Sequence, residues 1–318
     1  MISVVCPFYN EEAVIEGSLR LMLRNLATLE EDWELLVVDD GSRDGSLAIA
    51  KRLEAEDRHL RVLGYPVNHG RGYAIRHGAA SARGEVLVTT EIDSSWGDDI
   101  VHRLVAELAR RKDADIVIAS PHLEGGGYKN VPAARVFLSS LGNYVIRSGL
   151  TYGITMNTGM TRAYRREKFL ALPLYEDEKE MHLEVVSKAL AFGYTIVEIP
   201  AVLEWKTHKL TARPGQKRPS AFRVGRLVRT HLLFSLLAAP FRWLYGFAAV
   251  LGLVSGGFFV ASVASLLTRR VAVYLFLSSL SFALFALLLV GIAVLAQQGR
   301  ELQRDLWRVQ SELRRPRS

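Results

Sequence analysis

Cysteine occurs once among the 318 residues, as Cys6. No intrachain disulfide can form, which suits a reducing compartment and leaves Cys6 as a small apolar side chain in the first strand. Acids are scarce late in the chain. Residues 207–318 hold 16 Lys and Arg against three Asp and Glu, whereas residues 1–206 hold 24 against 30. Such asymmetry points to an anionic surface as partner, either nucleic acid or anionic lipid. Charge of either sign is missing from Trp243–Leu267 and Val271–Ala296. Each run exceeds the roughly 20 residues that span a bilayer, so lipid is favoured and no nucleic-acid partner is expected. Internal repeats, low-complexity tracts and a signal peptide are not seen; Met1–Pro7 leads directly into a strand.

Arg269 and Arg270 separate the two apolar runs, which predicts a helical hairpin with both flanks on one side. Lys209, Arg213, Lys217, Arg218, Arg223, Arg226 and Arg229 precede it, and Arg300, Arg304, Arg308, Arg314, Arg315 and Arg317 follow it. The excess of positive charge places both flanks, and the N-terminal body, in the cytoplasm of a multi-pass inner-membrane protein. The expected domains are a body over 1–206, a basic juxtamembrane segment over 207–240, the hairpin over 241–296 and a basic tail over 297–318. Within the second, Ser220–Ala239 reads as an amphipathic helix in the membrane interface, with arginines toward lipid phosphates and Pro240 ending it. The tail spaces Leu302, Leu306, Val309 and Leu313 by threes and fours. Lying on the membrane, pairing in a small homo-oligomer and a solvated helix all stay open for it.

The N-terminal body alternates short apolar runs with amphipathic stretches. Strands are predicted at Ile2–Cys6, Glu34–Val38, Leu60–Tyr65, Val86–Thr90 and Ile116–Ser120. Helices are predicted at Glu11–Leu29, Ser46–Asp57, Gly72–Ala82 and Asp98–Arg111. That order implies an α/β, doubly wound and mainly parallel sheet. Leu35-Leu36-Val37-Val38 reads as a strand buried on both faces, and it ends in Asp39-Asp40-Gly41-Ser42. Ligands of open α/β sheets bind at the carboxyl ends of strands. Carboxylates there suit hydroxyls and ring N–H groups, as a nucleoside offers; a single Asp could equally be a helix cap. Two other strands end in polar clusters, Pro7-Phe8-Tyr9-Asn10-Glu11 and Glu91-Ile92-Asp93, and all three converge on one sheet edge.

With Asn68-His69-Gly70-Arg71-Gly72, Gly125-Gly126-Gly127, Arg135, Asn143, Thr158-Gly159, Arg162 and Glu198-Ile199-Pro200, this set resembles family 2 glycosyltransferases of the glycosyltransferase-A fold. Together with the hairpin it is similar to the branch containing dolichol-phosphate mannose synthases and bacterial polyprenyl-phosphate glycosyltransferases. The resemblance implies an inverting transfer of a hexose from a UDP- or GDP-sugar to a polyprenyl phosphate such as undecaprenyl or dolichyl phosphate. It assigns the nucleotide to Pro7, Tyr9, Glu11, Val38, Asp40 and Ile92. Glu91 and Asp93 become the catalytic acids and the ligands of Mg²⁺ or Mn²⁺, since oxygen donors suit hard cations. A phosphomonoester acceptor is largely dianionic at neutral pH, so it needs cations and alignment more than a base. Lys206, Arg213, Lys217 and Arg218 are the candidates for binding it.

The sequence departs from the family at several points. Glu91 stands where Asp is usual. Thr155, Met156 and Asn157 occupy the stretch where an Asp is common, and Pro121 with His122 replaces an Arg after the fifth strand. Another lipid acceptor would require a general base, for which Glu180 or Asp177 could serve; a non-catalytic nucleotide-binding membrane protein is the remaining alternative. His182 lies beside Glu180 and Glu184, but a spacing of two does not share a helix face, so a surface or packing role is expected.

Overall fold

A computed structural model describes residues 1–133, 136, 153–205, 240–267 and 272–314. It divides into two compact units, one holding the sheet and one holding the two C-terminal helices as far as Val309.

The first unit begins β1 (Ile2–Phe8), α1 (Ile15–Leu26), β2 (Trp33–Asp39), α2 (Ser46–Glu56), β3 (Leu60–Gly64), α3 (Arg71–Ser81) and β4 (Val86–Thr89). It continues α4 (Ile100–Arg110), β5 (Ile116–Ser120), β6 (Gly127–Lys129), β7 (Arg162–Arg165), α5 (Arg166–Ala171), α6 (Met181–Ala191), β8 (Ile196–Pro200) and β9 (Val202–Glu204). The main sheet runs β3-β2-β1-β4-β7-β5-β8, and β6 pairs separately with β9. Leu35 to Val38 are fully buried, as a central strand covered by helices on both faces requires. In α1, Ile15, Leu19, Met22 and Leu26 form the buried stripe while Glu16 and Arg20 pair outside.

The alternating order thus gives the expected mainly parallel sheet, with one exception. β7 lies antiparallel between β4 and β5, pairing Thr89 with Arg162 and Ile118 with Arg162. Element ends also shift: α1 starts at Ile15, so Glu11 sits in the turn before it, and α4 starts at Ile100. Cys6 is fully buried, as a small apolar side chain would be.

The second unit holds α7 (Pro240–Leu267) and, as far as Val309, α8 (Val273–Arg314). Trp243–Leu267 and Val273–Gly299 are long and apolar enough to cross a membrane. The two helices are joined side by side: the Ser255 hydroxyl donates to the Ser279 carbonyl at 2.8 Å, and the Phe258 and Phe282 rings stack at 5.6 Å. Hydroxyls and small residues are common contacts between membrane helices. α8 continues without a break past the apolar span to Arg314. The helix expected over Ser220–Ala239 and the turn at Arg269-Arg270 lie outside the described residues.

Candidate active site

The carboxyl ends of β1 and β2 are tied together by the residues that follow them. The Asp40 N–H donates to the Phe8 carbonyl at 2.9 Å. Asn10 has a left-handed backbone, φ 53°, and its N–H donates to Ser42 Oγ at 3.0 Å. The Arg43 N–H returns a bond to Asn10 Oδ1 at 2.8 Å. Glu11 and Glu12 N–H groups donate to Ser46 Oγ and Asp44 Oδ2. Burial opposes the charge on Asp44, yet the Ser46 hydroxyl and N–H groups of Ser46 and Glu12 hold its carboxyl below the usual range. These bonds present Tyr9, 40% exposed, and half-buried Glu11 at the edge. Pro7 and Val38 lie just behind, paired across β1 and β2.

Asp40 is buried and faces the loop after β3. Its carboxylate accepts Tyr65 Oη, Asn68 Nδ2 and the His69 N–H, each at 2.8 Å, and the Gly70 N–H at 3.0 Å. Burial, then the bond to Asp40, pushes the Tyr65 phenol up, so it stays a donor. A carboxylate offers about four lone-pair sites; the loop fills them. Asp40 therefore organises the 65–70 loop, and this structure turns its oxygens away from solvent. Gly41 has φ +72°, and a Cβ there would lie 2.6 Å from the Asn68 nitrogen. The Asp-Asp-Gly-Ser motif is thus a packing junction as well as a strand end.

The same loop leads into α3, whose first N–H groups are capped from a distant segment. Asp177 O accepts the Gly72 N–H at 2.6 Å and the Tyr73 N–H at 3.1 Å. Arg76 binds the Glu176 carbonyl and the Asp177 carboxylate. Glu184 accepts the N–H groups of Tyr175 and Glu176, and buried Lys188 pairs with Glu184 at 2.6 Å while donating to Pro173 O. The 173–177 segment is therefore held against both α3 and α6. Asp177, one of the two alternative bases, is engaged by Arg76. Glu180 lies at the start of α6.

Glu91, Ile92 and Asp93 follow β4. Ile92 is buried, and Asp93 Oδ1 accepts the Ser95 N–H at 3.0 Å and the Ser95 hydroxyl. Burial, then the negative charges of Asp93, Glu91 and Glu11, pushes the Cys6 thiol well up. Glu11 follows β1, and Glu91 and Asp93 follow β4, which pairs in parallel with β1, so the three acids lie beyond the same edge of the sheet. Among the described residues no group of three or more His, Cys, Asp or Glu forms a metal cluster. A pair of carboxylates nevertheless fits a hard divalent cation, which usually completes its shell with substrate phosphates and water.

Sequence reasoning missed the part played by Glu198. Its carboxylate, on β8, accepts the Thr155 N–H at 2.8 Å, the Thr155 hydroxyl at 3.0 Å and the Met156 N–H at 2.7 Å. A carboxylate therefore lies against the loop position where the resembling family carries its own Asp. Half-buried His122 is nearby, 3.2 Å from Tyr128 Oη; burial holds its pKa down against the Glu198 charge. Arg162 is fully buried and donates to the His182 and Asn157 carbonyls. His182 is buried too, and burial, then the charges of Arg162 and Arg71, keeps it neutral, so it packs rather than faces solvent. Lys206, Arg213, Lys217 and Arg218, with Arg135 and Asn143, lie outside the described residues.

Residues 3–172 match the family model described as glycosyl transferase family 2. An undecaprenyl-phosphate mannosyltransferase of Micrococcus luteus is 31% identical over 255 residues, which is 78% of this chain and 98% of that protein. An undecaprenyl-phosphate 4-deoxy-4-formamido-L-arabinose transferase of Proteus mirabilis is 28% identical over 295 residues, 92% of this chain and 83% of that protein. Among solved structures, glucosyl-3-phosphoglycerate synthase from Mycobacterium tuberculosis with UDP is similar at TM-score 0.54 and 22% identity, covering 75% of this chain and 79% of that one. The same enzyme with Mn²⁺, UDP and phosphoglyceric acid gives 0.55 and 20%, covering 75% and 78%. These structural likenesses establish the fold.

Proposed function

The chain belongs to glycosyl transferase family 2, and from that premise we propose that it transfers a hexose from a UDP- or GDP-sugar to a polyprenyl phosphate on the cytoplasmic face of a membrane. The observation that carries the reading is the placement of Glu11, Glu91 and Asp93 just past the carboxyl ends of the paired parallel strands β1 and β4, beside exposed Tyr9. The sequence relatives named for undecaprenyl phosphate support the acceptor. The two apolar helices support a membrane location, and the basic residues flanking them support the cytoplasmic orientation.

In this reading Tyr9 and Glu11, backed by Pro7 and Val38, meet the base and ribose, and Asp40 acts by holding the 65–70 loop. Ile92 lines the floor between the acids. Glu91 and Asp93 would hold Mg²⁺ or Mn²⁺, which neutralises charge on a diphosphate. Lys206, at the end of the 1–206 body, and Arg213, Lys217 and Arg218, in the segment between that body and the hairpin over 241–296, bind the acceptor phosphate. An acceptor phosphate oxygen forms a bond to the anomeric carbon as the bond from that carbon to the diphosphate oxygen breaks, so configuration inverts. The nucleoside diphosphate leaves with the electron pair. The acceptor is already anionic and needs no base to remove a proton. Asp177, tied to Arg76, is poorly placed as a base for a hydroxyl acceptor.

The test is a transfer assay with purified full chain, polyprenyl phosphate and a panel of radiolabelled UDP- and GDP-sugars, with Mg²⁺ or Mn²⁺. Label entering lipid, and lost in Asp93→Ala, supports the reading and names the donor. Nucleotide binding without lipid labelling from any donor overturns the polyprenyl-phosphate acceptor.

A further inference from the structure

The buried carboxylate of Asp40 has no lone pair left for a nucleobase. Oδ1 accepts Tyr65 Oη and the His69 N–H, each at 2.8 Å. Oδ2 accepts Asn68 Nδ2 at 2.8 Å and the Gly70 N–H at 3.0 Å. About four such positions are all that a carboxylate offers. A ring N–H could pair with Asp40 only by displacing one of these donors, which exchanges one hydrogen bond for another and leaves a group of the 65–70 loop unmet. A base docked at this end of the sheet is therefore read by another side chain.

Three turns lie side by side around Asp40 and Gly41. The Asn10 N–H donates to Ser42 Oγ, which joins the turn after β1 to the turn after β2. The backbone of Gly41 lies against that of Val67 and Asn68, in the turn after β3. Tyr9 stands on the first turn and His69 on the third, and both are exposed. Neighbouring strands are about 4.8 Å apart, so β1 and β3, on either side of β2, are separated by about 10 Å. That spacing leaves room for one planar base between side chains from the two outer turns.

His69 differs from an ordinary surface histidine in being held. Its N–H is fixed by Asp40, and its ring packs on Tyr73 at 4.7 Å and on Tyr65 at 5.4 Å. Tyr65 is fixed in turn by the bond from its hydroxyl to Asp40. The imidazole nitrogens of His69 make no hydrogen bond among the described residues. A neutral imidazole carries one donor and one acceptor, and a base edge presents both kinds of group. A ring already held loses little freedom when it pairs. Of the other side chains on these turns, Val67 is apolar, Asn68 is engaged by Asp40, and Arg43 offers donors only.

We propose that His69 is the residue that distinguishes the nucleobase of the donor: its imidazole pairs with the base edge while Asp40 holds it from behind. The proposal rests on the nucleotide-sugar reading given above, and it names the residue of that site which sets uridine against guanosine.

His77 supplies a control. It stacks on the same Tyr73 at 6.2 Å and on Tyr65 at 5.7 Å, further along α3 and away from the Asp40 loop. Calorimetry on the purified full chain with Mg²⁺ compares UDP, GDP and inorganic pyrophosphate. His69→Phe keeps a ring against Tyr73 and removes both nitrogens, His69→Ala removes the ring, and His77→Ala disturbs the same stack. The wild type is expected to prefer one nucleotide. In both His69 variants the ratio of the two dissociation constants should move toward one by about fivefold, the size of one neutral hydrogen bond. Pyrophosphate affinity should stay the same, and His77→Ala should keep the wild-type ratio. No preference in the wild type, an unchanged ratio in the His69 variants, an equal change in His77→Ala, or pyrophosphate weakening as much as the nucleotides overturns the proposal. Failure of the donor reading is distinct: a wild type that binds neither nucleotide sinks both, whereas nucleotide binding with a ratio indifferent to His69 sinks this proposal alone.

Discussion

The carboxylate of Asp40 accepts the Gly70 N–H at 3.0 Å, joining the end of β2 to the entry of α3. Three further donors from Tyr65, Asn68 and His69 converge on the same group. Asn at this position keeps the shape but turns an acceptor into a donor facing donors. Asp40→Asn should lower unfolding free energy by about 1–3 kcal/mol. Nucleotide affinity should fall with it. Denaturant unfolding and titration with UDP and GDP check the pair, and unchanged affinity beside lost stability would confine Asp40 to architecture.

Gly72 offers a separate handle on the capping segment. A Cβ there would lie 2.6 Å from Glu176 O and 2.7 Å from Asp177 O, both backbone atoms. Gly72→Ala should push the segment off α3 and expose the Tyr175 and Glu176 N–H groups that Glu184 holds. Hydrogen exchange at those two amides should accelerate at least about tenfold, an opening cost lowered by roughly 1.4 kcal/mol. Unaltered exchange would mean that the segment adapts without leaving.

Asp93→Asn removes charge from the acid pair without changing its size. Transfer should fall by about 10²–10³ in kcat, the range seen when an electrostatic contact to the transition state is lost. Glu91→Asp, which restores the shorter acid usual in the family, should retain transfer. Initial rates across a Mg²⁺ or Mn²⁺ titration measure both, and an active Asp93→Asn would remove this residue from the chemistry.

Glu198→Gln tests the clamp on Thr155 and Met156. The amide cannot accept all the donors that the carboxylate meets, so the 155–157 loop should lose its setting. A drop in kcat of about tenfold with unchanged nucleotide affinity is expected, since the residues proposed to meet the nucleotide belong to β1, β2 and the segments after β1, β2, β3 and β4, not to β8. A parallel loss of both would point to general unfolding instead.

Stability in acid should depend on Glu34 at the opposite sheet edge. Although burial opposes its charge, Ser3, Arg61 and the Arg83 N–H hold its carboxyl below the ordinary value of 4.5. Its folded pKa is depressed, so this contribution is complete above the unfolded value and is lost as pH falls through the folded one. Glu34→Gln should be less stable near neutrality and should show a shallower decline below about pH 4.5. Unfolding midpoints from pH 7 to 3 provide the comparison, and parallel curves for both proteins would refute it.

The alternation of strands and helices was legible because it is periodic and local. Leu35 to Val38 could only be a doubly covered strand, and the two uncharged runs could only be long apolar helices. The three polar strand ends were equally visible, and their convergence followed from parallel connectivity. β7 was not legible: four residues, Arg-Ala-Tyr-Arg, carry no clear period, and only pairing with β4 and β5 makes them a strand. The partners of Asp40, the hold of Glu198 on Thr155 and the capping of α3 by Asp177 were likewise decided in three dimensions. Each joins residues 25 to 105 positions apart. Periodicity reports which side of an element is buried. Which polar group meets which is set by the directions of hydrogen bonds after the elements have packed.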